Sequence, residues 1–418
     1  MNARALGATP LLAATLLAGA LAFVAWAPVR AKAAPDKSAP LAPVLESLKA
    51  HVERLAGPEW KGRGAWEDRV KAAAYIADYL EALGMAPLPG RTSYAVDFGG
   101  TAEQPEGRNV CAWWPAPPKA GEPVPEYVLL SAHYDHLGVK DGVIYPGADD
   151  NASGVAVLLE VARTLLEQEK RVLRTQALPR ALCLVAFDLE EQSLIGSRRF
   201  VAEPPVPLEK CALFLTMDQM GRSIADLAPG TLFLMGSEHC AWLDTHLQGA
   251  KTAEGISKAL LGIDFQPPTG YSDYVPFQEK AIPFLFISTG ACGHYHRPED
   301  TPEKLDYARM EQHVGFVREL TLAALAVAER PVWRAGAEPR LDEIQIVRNL
   351  VGAAVPKLAE MNAPGGIQFA VTNFVAHLDK LLAKGAVTAA ERTIVRNTAR
   401  MLFTQAVALV GRAAPVPR

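Results

Sequence analysis

The chain has 418 residues, half of them hydrophobic, and a formal charge of −4. Such a length suits one large globular domain or a domain with an appendage, and the near balance of charge excludes a generic nucleic-acid binder. Five cysteines are too few and too scattered for a disulfide scaffold, and none has metal-site spacing.

Residues 5–27 carry no charge, Arg4 precedes them, and an Ala-x-Ala ending at Ala33 follows. This reads as a secretory signal over 1–33. The apolar run is also long enough to span a bilayer, so an uncleaved N-terminal anchor is the alternative. Either way the chain is expected to be exported: periplasmic, extracellular or tethered to a membrane through residues 5–27.

Residues 34–44, rich in Pro and Ala, read as a linker. The periodicity of 68–84 predicts a helix ending at Gly84. Short apolar runs at 127–132, 181–187, 211–217, 231–235 and 283–288 predict strands. Helical stretches at 153–168, 193–202, 239–253 and 272–280 lie between them. The alternation predicts a layered α/β fold around a mostly parallel sheet, with any site at the carboxyl ends of the strands. Beyond residue 332 a connector leads into helices over 341–412, the last opened by a Thr388/Glu391 capping box. Cys183 and Cys211 sit in apolar runs and read as core residues, whereas Cys111, Cys240 and Cys292 leave room for one pair.

The strand ends carry the chemistry. "SAHYDHLG" places His133 and Asp135 two apart, facing the same way on an extended chain. A carboxylate there can hold the second imidazole nitrogen and fix which nitrogen meets a metal. "GADDNASG" crowds Asp149 and Asp150 before a helix, more acid than an N-cap needs. "VAFDLEEQ" delivers Glu190 and Glu191 side by side, although adjacent buried anions are costly. "LTMDQMGR" delivers Asp218, and "GHYHRPEDTPEKLD" supplies His294, His296 and Asp300. Histidines and carboxylates without a thiolate suit Zn²⁺ or a similar divalent ion and permit a paired site. A cation pair would also explain the two glutamates: one holds metal, and the other takes a proton from the attacking water.

In their order and spacing these motifs, with "GPEWKGRG", "AAAYIADYLEALG" and "YSDYVPFQEKAIPFLF", resemble the M28 family of zinc-dependent aminopeptidases over roughly residues 45–330. The resemblance implies a three-layer sandwich of the zinc-exopeptidase type and a peptidase domain over 45–331, and the helical extension over 332–418 lies outside the family's usual catalytic domain. It implies two co-catalytic Zn²⁺ ions: His133 and Asp218 on one, Glu191 and His296 on the other, and Asp149 bridging both across a cis peptide bond to Asp150. Glu190 matches the general acid/base and Asp135 the carboxylate that orients His133. His294 and His136 read as supporting or surface groups. The implied substrate is a peptide with a free N-terminus. Carboxypeptidase-like enzymes, a glutaminyl cyclase and non-catalytic receptors share the scaffold, but a complete ligand set with its base favours the two-metal hydrolase. Ser272-Asp273-Tyr274 departs from the family's Ser-Asp-His, which makes Tyr271 or Tyr274 a candidate partner for the substrate carbonyl.

Overall fold

A computed structural model describes residues 43–101, 106–172, 178–267, 270–336, 338–360 and 363–413. The signal or anchor segment and almost all of the 34–44 linker lie outside the described residues. Among the described residues no helix is long and apolar enough to cross a membrane.

The centre is a mixed, mostly parallel sheet of eight strands. In chain order these are β1 (Ala95–Phe98), β2 (Gly107–Trp114), β3 (Tyr127–His133), β6 (Ala181–Phe187), β7 (Cys211–Asp218), β8 (Thr231–Met235), β9 (Ser257–Leu261) and β10 (Phe284–Ser288). A small separate hairpin pairs β4 (Gly138–Lys140) with β5 (Val143–Tyr145). Across the sheet the order is β1-β2-β6-β3-β7-β10-β8-β9. Strands β6, β3, β7 and β10 run parallel, so their carboxyl ends share one edge. Strands β3, β6 and β7 are buried along their whole length, which is why they read as unbroken apolar runs rather than alternating ones.

Helices cover both faces. On one lie α1 (Val44–Leu55), α2 (Trp66–Leu83), α3 (Gly154–Val172), α5 (Ala241–Gly249) and α7 (Tyr307–Ala326), packed through residues such as Leu48, Ile76, Leu158, Leu247 and Leu320. Gly84 ends α2 at φ +85°, its N–H bonded to Glu81 O at 2.9 Å. On the other face lie α4 (Ile195–Ala202) and α6 (Tyr274–Glu279), joined by α8 (Leu341–Glu360), α9 (Gly365–Lys384) and α10 (Ala389–Ala413). Ile344, Val347, Phe374, Leu378, Val395 and Ala399 of these last three helices share one apolar cluster with Phe214, Phe233 and Phe286 of the sheet. The C-terminal helices therefore complete the second helical layer beneath β8 and β9. Thr388 and Glu391 form the expected capping box: Thr388 N–H donates to Glu391 Oε2 at 2.9 Å, and Glu391 N–H to Thr388 Oγ1 at 3.3 Å.

The five predicted strands and the helix at 68–84 are present. Sequence reading missed α1, the antiparallel strands β1 and β2, the β4–β5 hairpin, edge strand β9 and α7. All five cysteines are buried and free, so Cys111, Cys240 and Cys292 form no pair.

Candidate metal centre and active site

The site forms where β3, β6 and β7 end. His133 closes β3 and Asp218 closes β7, and both side chains are buried. Beyond β6 the chain turns through Leu189 at φ +55°, a conformation uncommon outside glycine, and presents Glu190 and Glu191. Asp188 has a cation of its own, Arg69, with Nε 2.9 Å from Oδ1. Glu190 and Glu191 have no lysine or arginine within ion-pair reach among the described residues.

Asp135 fixes this turn. Its Oδ1 accepts the Glu190 N–H at 3.0 Å and its Oδ2 the Glu191 N–H at 3.3 Å. Its Oδ1 also lies 3.5 Å from His133 Nδ1, leaving His133 Nε2 to face the cluster. One carboxylate thus positions a histidine and the backbone of both glutamates, and only the first of these roles was legible in the sequence.

The aspartate at the centre is Asp150, not Asp149, which corrects the sequence expectation. Asp149 turns away: its Oδ1 accepts the Gly221 N–H at 2.7 Å and the Ser153 hydroxyl at 3.2 Å. Asp150 Oδ1 lies 3.4 Å from His133 Nε2, and its Oδ2 lies 3.2 Å from His296 Nε2. The cis peptide is likewise Asp150–Asn151 rather than Asp149–Asp150. Asp300 holds the loop by accepting the N–H groups of Asp149 (2.9 Å) and Asp150 (3.1 Å). Gly147 is required beside it: at φ +60°, a Cβ would meet Asp150 O at 2.2 Å and the His136 ring at 2.4 Å.

Two half-sites share Asp150. In the first, His133 Nε2 is 3.4 Å from Asp218 Oδ1 as well as from Asp150 Oδ1. In the second, His296 Nε2 is 3.1 Å from Glu191 Oε2, and His136 Nδ1 is 2.8 Å from Glu191 Oε1. His136, read from sequence as a supporting or surface group, is buried and offers its imidazole to the cluster. Donor atoms of His133, Asp150 and Asp218, and those of His136, Asp150 and Glu191, lie within 4.8 Å of one another, close enough for each group to hold a cation. His133 Nε2, His136 Nδ1, Asp150 Oδ2, Glu191 Oε1 and Asp218 Oδ1 are buried without a hydrogen-bond partner. Orphaned buried donors and acceptors of this kind are rare in folded proteins, and this nitrogen-and-oxygen set fits Zn²⁺.

The electrostatics reflect an excess of buried anions. Burial pushes the Glu190 carboxyl well above its usual range; His133 opposes this, and the charges of Asp218, Asp273 and Glu191 add to it. Asp218 is raised by burial too. Burial alone would raise Asp150, but His133 and His296 hold it well below the usual carboxylate range. Burial would lower His296, but Asp150 and Glu191 push it up to about 10. A divalent cation would relieve the repulsion among these acids.

Arg63 is an organiser that the sequence reading missed. Fully buried, it donates to the carbonyls of Tyr134 (2.7 Å), Pro146 (2.8 Å) and Gly147 (2.8 Å), joining the two ligand loops. No local pattern marks this role, because the three carbonyls it joins lie more than 70 residues away. Of the two tyrosines, Tyr274 is buried and stacks on Phe284 with ring centroids 5.3 Å apart, so it belongs to the core. Tyr271 is 53% exposed and lines a cavity that opens at Asp150, Glu190 and Asp218.

A profile of Peptidase family M28 matches residues 109–321, just over half of the chain. The chain is 28% identical to Aminopeptidase YwaD of Bacillus subtilis (strain 168) over 219 residues, covering 50% of this chain and 43% of that protein. It is 26% identical to a Glutaminyl-peptide cyclotransferase of Drosophila melanogaster over 229 residues, covering 48% and 61%. The chain thus spans about half the length of the curated relatives it matches. Among solved structures, BSAP, a zinc aminopeptidase from Bacillus subtilis, superposes with a TM-score of 0.52 at 16% identity, covering 72% of this chain and 100% of that one. The LapA aminopeptidase of Legionella pneumophila gives 0.52 at 16% identity, covering 68% and 73%. These likenesses bear out the fold, an α/β sandwich on a mostly parallel sheet. With the profile matching from β2 through most of α7, the chain belongs to peptidase family M28.

Proposed function

We propose that this protein is a metal-dependent exopeptidase that removes N-terminal residues from peptides. The observation that carries the reading is Asp150, placed between two imidazole–carboxylate half-sites in which several buried atoms form no hydrogen bond. His133, Asp150 and Asp218 would hold one Zn²⁺, and Asp150, Glu191 and His296, with His136 beside them, would hold the second. Bound there, the ions would lower the pKa of water toward neutrality and polarise a substrate carbonyl.

Glu190 is the acid/base in this reading. Its carboxylate stands 4.0 Å from His133 Nε2 at the cavity mouth. From there it takes the proton of the attacking water and returns it to the leaving amine. Asp135 holds the Glu190 backbone, so the base sits on a fixed turn. The cavity presents Asp150, Glu190 and Asp218 and no lysine or arginine among its described lining residues. Once Asp150 and Asp218 hold metal, Glu190 is the free acid of that lining, and no lysine or arginine there would pair with a substrate carboxylate, which favours the amino end of the substrate over the carboxyl end. Export, with or without a membrane tether, remains part of the proposal and rests on residues 1–33.

The test is mass spectrometry of a peptide panel, with free, N-acetylated and N-terminal glutamine peptides incubated with and without a chelator. Stepwise loss of N-terminal residues from free peptides only, abolished by chelator, is expected. Cleavage of acetylated peptides or from the carboxyl end would overturn the substrate assignment. Loss of ammonia from the glutamine peptide without cleavage would replace hydrolysis by cyclisation.

A further inference from the structure

The cavity that opens at the acidic cluster continues along one face of the sheet. Phe286 of β10, Phe233 and Met235 of β8, and Leu261 of β9 line it, with Phe265 from the following turn. Its volume is about 140 Å³. An apolar cavity of about 150 Å³ holds a benzene-sized group. Loop residues such as Ile224, Pro267 and Tyr295 add to the wall, and α10 contributes Phe403, Thr404 and Val407. Positions 403 and 407 are one helical turn apart and lie on one side of the helix. This helix begins 68 residues beyond the end of the family match at 321.

The first turn of α10 is clamped to the cavity wall. Arg392 donates to both oxygens of Asp264 at 2.8 and 2.9 Å and to Glu343 Oε2 of α8 at 2.6 Å. Arg396 reaches Asp264 Oδ2 at 2.9 Å, and Glu343 Oε1 accepts the Gly262 N–H at 2.8 Å. The Arg392 guanidinium also lies 5.0 Å above the ring of Phe265, itself a wall residue. One ion-pair network thus fixes both α10 and the turn opposite it. Phe403 borders a second cavity as well, about 50 Å³ between α8, α9 and α10, lined by Leu350, Val351 and Leu402. Its ring is a partition between the two.

We infer that α10 is part of the substrate site: Phe403 and Val407 close the pocket for the side chain of the substrate's N-terminal residue and limit it to apolar groups up to phenyl size. The inference rests on the exopeptidase reading for the identity of the ligand and on the cavity for its shape. Removing the Phe403 ring joins the two cavities and admits a larger side chain, whereas enlarging Val407 shortens the pocket.

The experiment measures Kd by calorimetry for free L-alanine, L-leucine, L-phenylalanine and L-tryptophan, and kcat/KM for peptides beginning with the same residues. It uses the full chain, Phe403→Ala and Val407→Phe, with melting curves to show that each folds. Wild type should prefer leucine and phenylalanine. Phe403→Ala should raise tryptophan relative to leucine about 10-fold, and Val407→Phe should lower phenylalanine relative to alanine by a similar factor. If Phe403→Ala fails to fold, Val407→Phe alone carries the test. Ratios unchanged within twofold in a folded variant overturn the pocket assignment even when peptides are cleaved. Kd ratios that shift as stated without any peptide cleavage uphold the pocket and overturn the exopeptidase reading. No binding and no cleavage by metal-loaded wild type overturns both.

Discussion

Two buried charge clusters in this molecule look alike in composition and differ in how they are completed. On α3, the fully buried Glu160 accepts the Ser47 hydroxyl at 2.8 Å, the Tyr79 hydroxyl at 2.9 Å and Arg163 Nε at 2.9 Å, with His51 Nε2 at 3.4 Å. Both its oxygens have partners supplied by the chain, and α1, α2 and α3 are stitched together. At the strand ends, among the described residues, Asp150, Asp218, Glu190 and Glu191 crowd around histidines alone, and Asp150 Oδ2, Asp218 Oδ1 and Glu191 Oε1 are buried without forming a hydrogen bond. Desolvating an ion is costly unless it is paired. The first cluster meets that cost within the fold, while the second leaves it to be met from outside. An acidic cluster signals a ligand when its partners are missing, and burial or charge alone does not.

The sharpest way to break the comparison is at Glu190. Glu190→Gln should retain metal and melting temperature while turnover falls about 10²- to 10⁴-fold, read by peptide hydrolysis alongside elemental analysis. Wild-type turnover in a metal-loaded variant would end the acid/base assignment. In the completed clusters the effect moves from rate to stability. Arg392→Ala leaves Glu343 buried without its cation and should cost about 3–5 kcal/mol in urea denaturation. A loss under about 1 kcal/mol would show that the clamp does not hold the C-terminal helices.

Glu160 offers a pH test. Burial would raise it, but His51 and Arg163 hold it at about 2, below its ordinary 4.5. Its folded value is the lower one, so its stabilisation is fully present above about pH 4.5 and is lost as pH falls toward 2. The stability gap between wild type and Glu160→Gln should therefore shrink by about 2 kcal/mol from pH 7 to pH 3, and a pH-independent gap would contradict the pairing. The smallest effect is expected at the exposed capping box, where Thr388→Ala should cost about 1 kcal/mol in thermal unfolding. No change there would mean that the start of α10 is held by its ion pairs, such as Arg392 and Arg396 on Asp264, and not by its cap.

The central strands were legible because burial on both faces leaves unbroken apolar runs such as "YVLLSAH" and "ALCLVAF". The acids that follow them were legible because each sits at a strand end. Which of Asp149 and Asp150 faces the cluster was not. Adjacent side chains point apart, and the choice is made by Gly221, Ser153 and Asp300, which are distant in sequence or hidden in the loop's own turn. His136 escaped for a similar reason, since only the folded approach of the Asp150 loop brings its imidazole to Glu191. Edge strand β9 opens on the polar pair Ser257 and Lys258, so only its last three residues form a buried apolar run. The place of α10 at the cavity depends on packing between segments more than 100 residues apart, such as Arg392 on Asp264, and no local pattern encodes it.

The central claim is that Asp150 is the residue shared by two cation sites. Elemental analysis of zinc per chain in wild type, Asp150→Asn and Asp149→Asn tests it most directly. Two ions per chain are expected in wild type and one or none in Asp150→Asn, with Asp149→Asn retaining more metal than Asp150→Asn. Two ions retained in Asp150→Asn, with both lost in Asp149→Asn, would contradict the account and return the bridging role to Asp149.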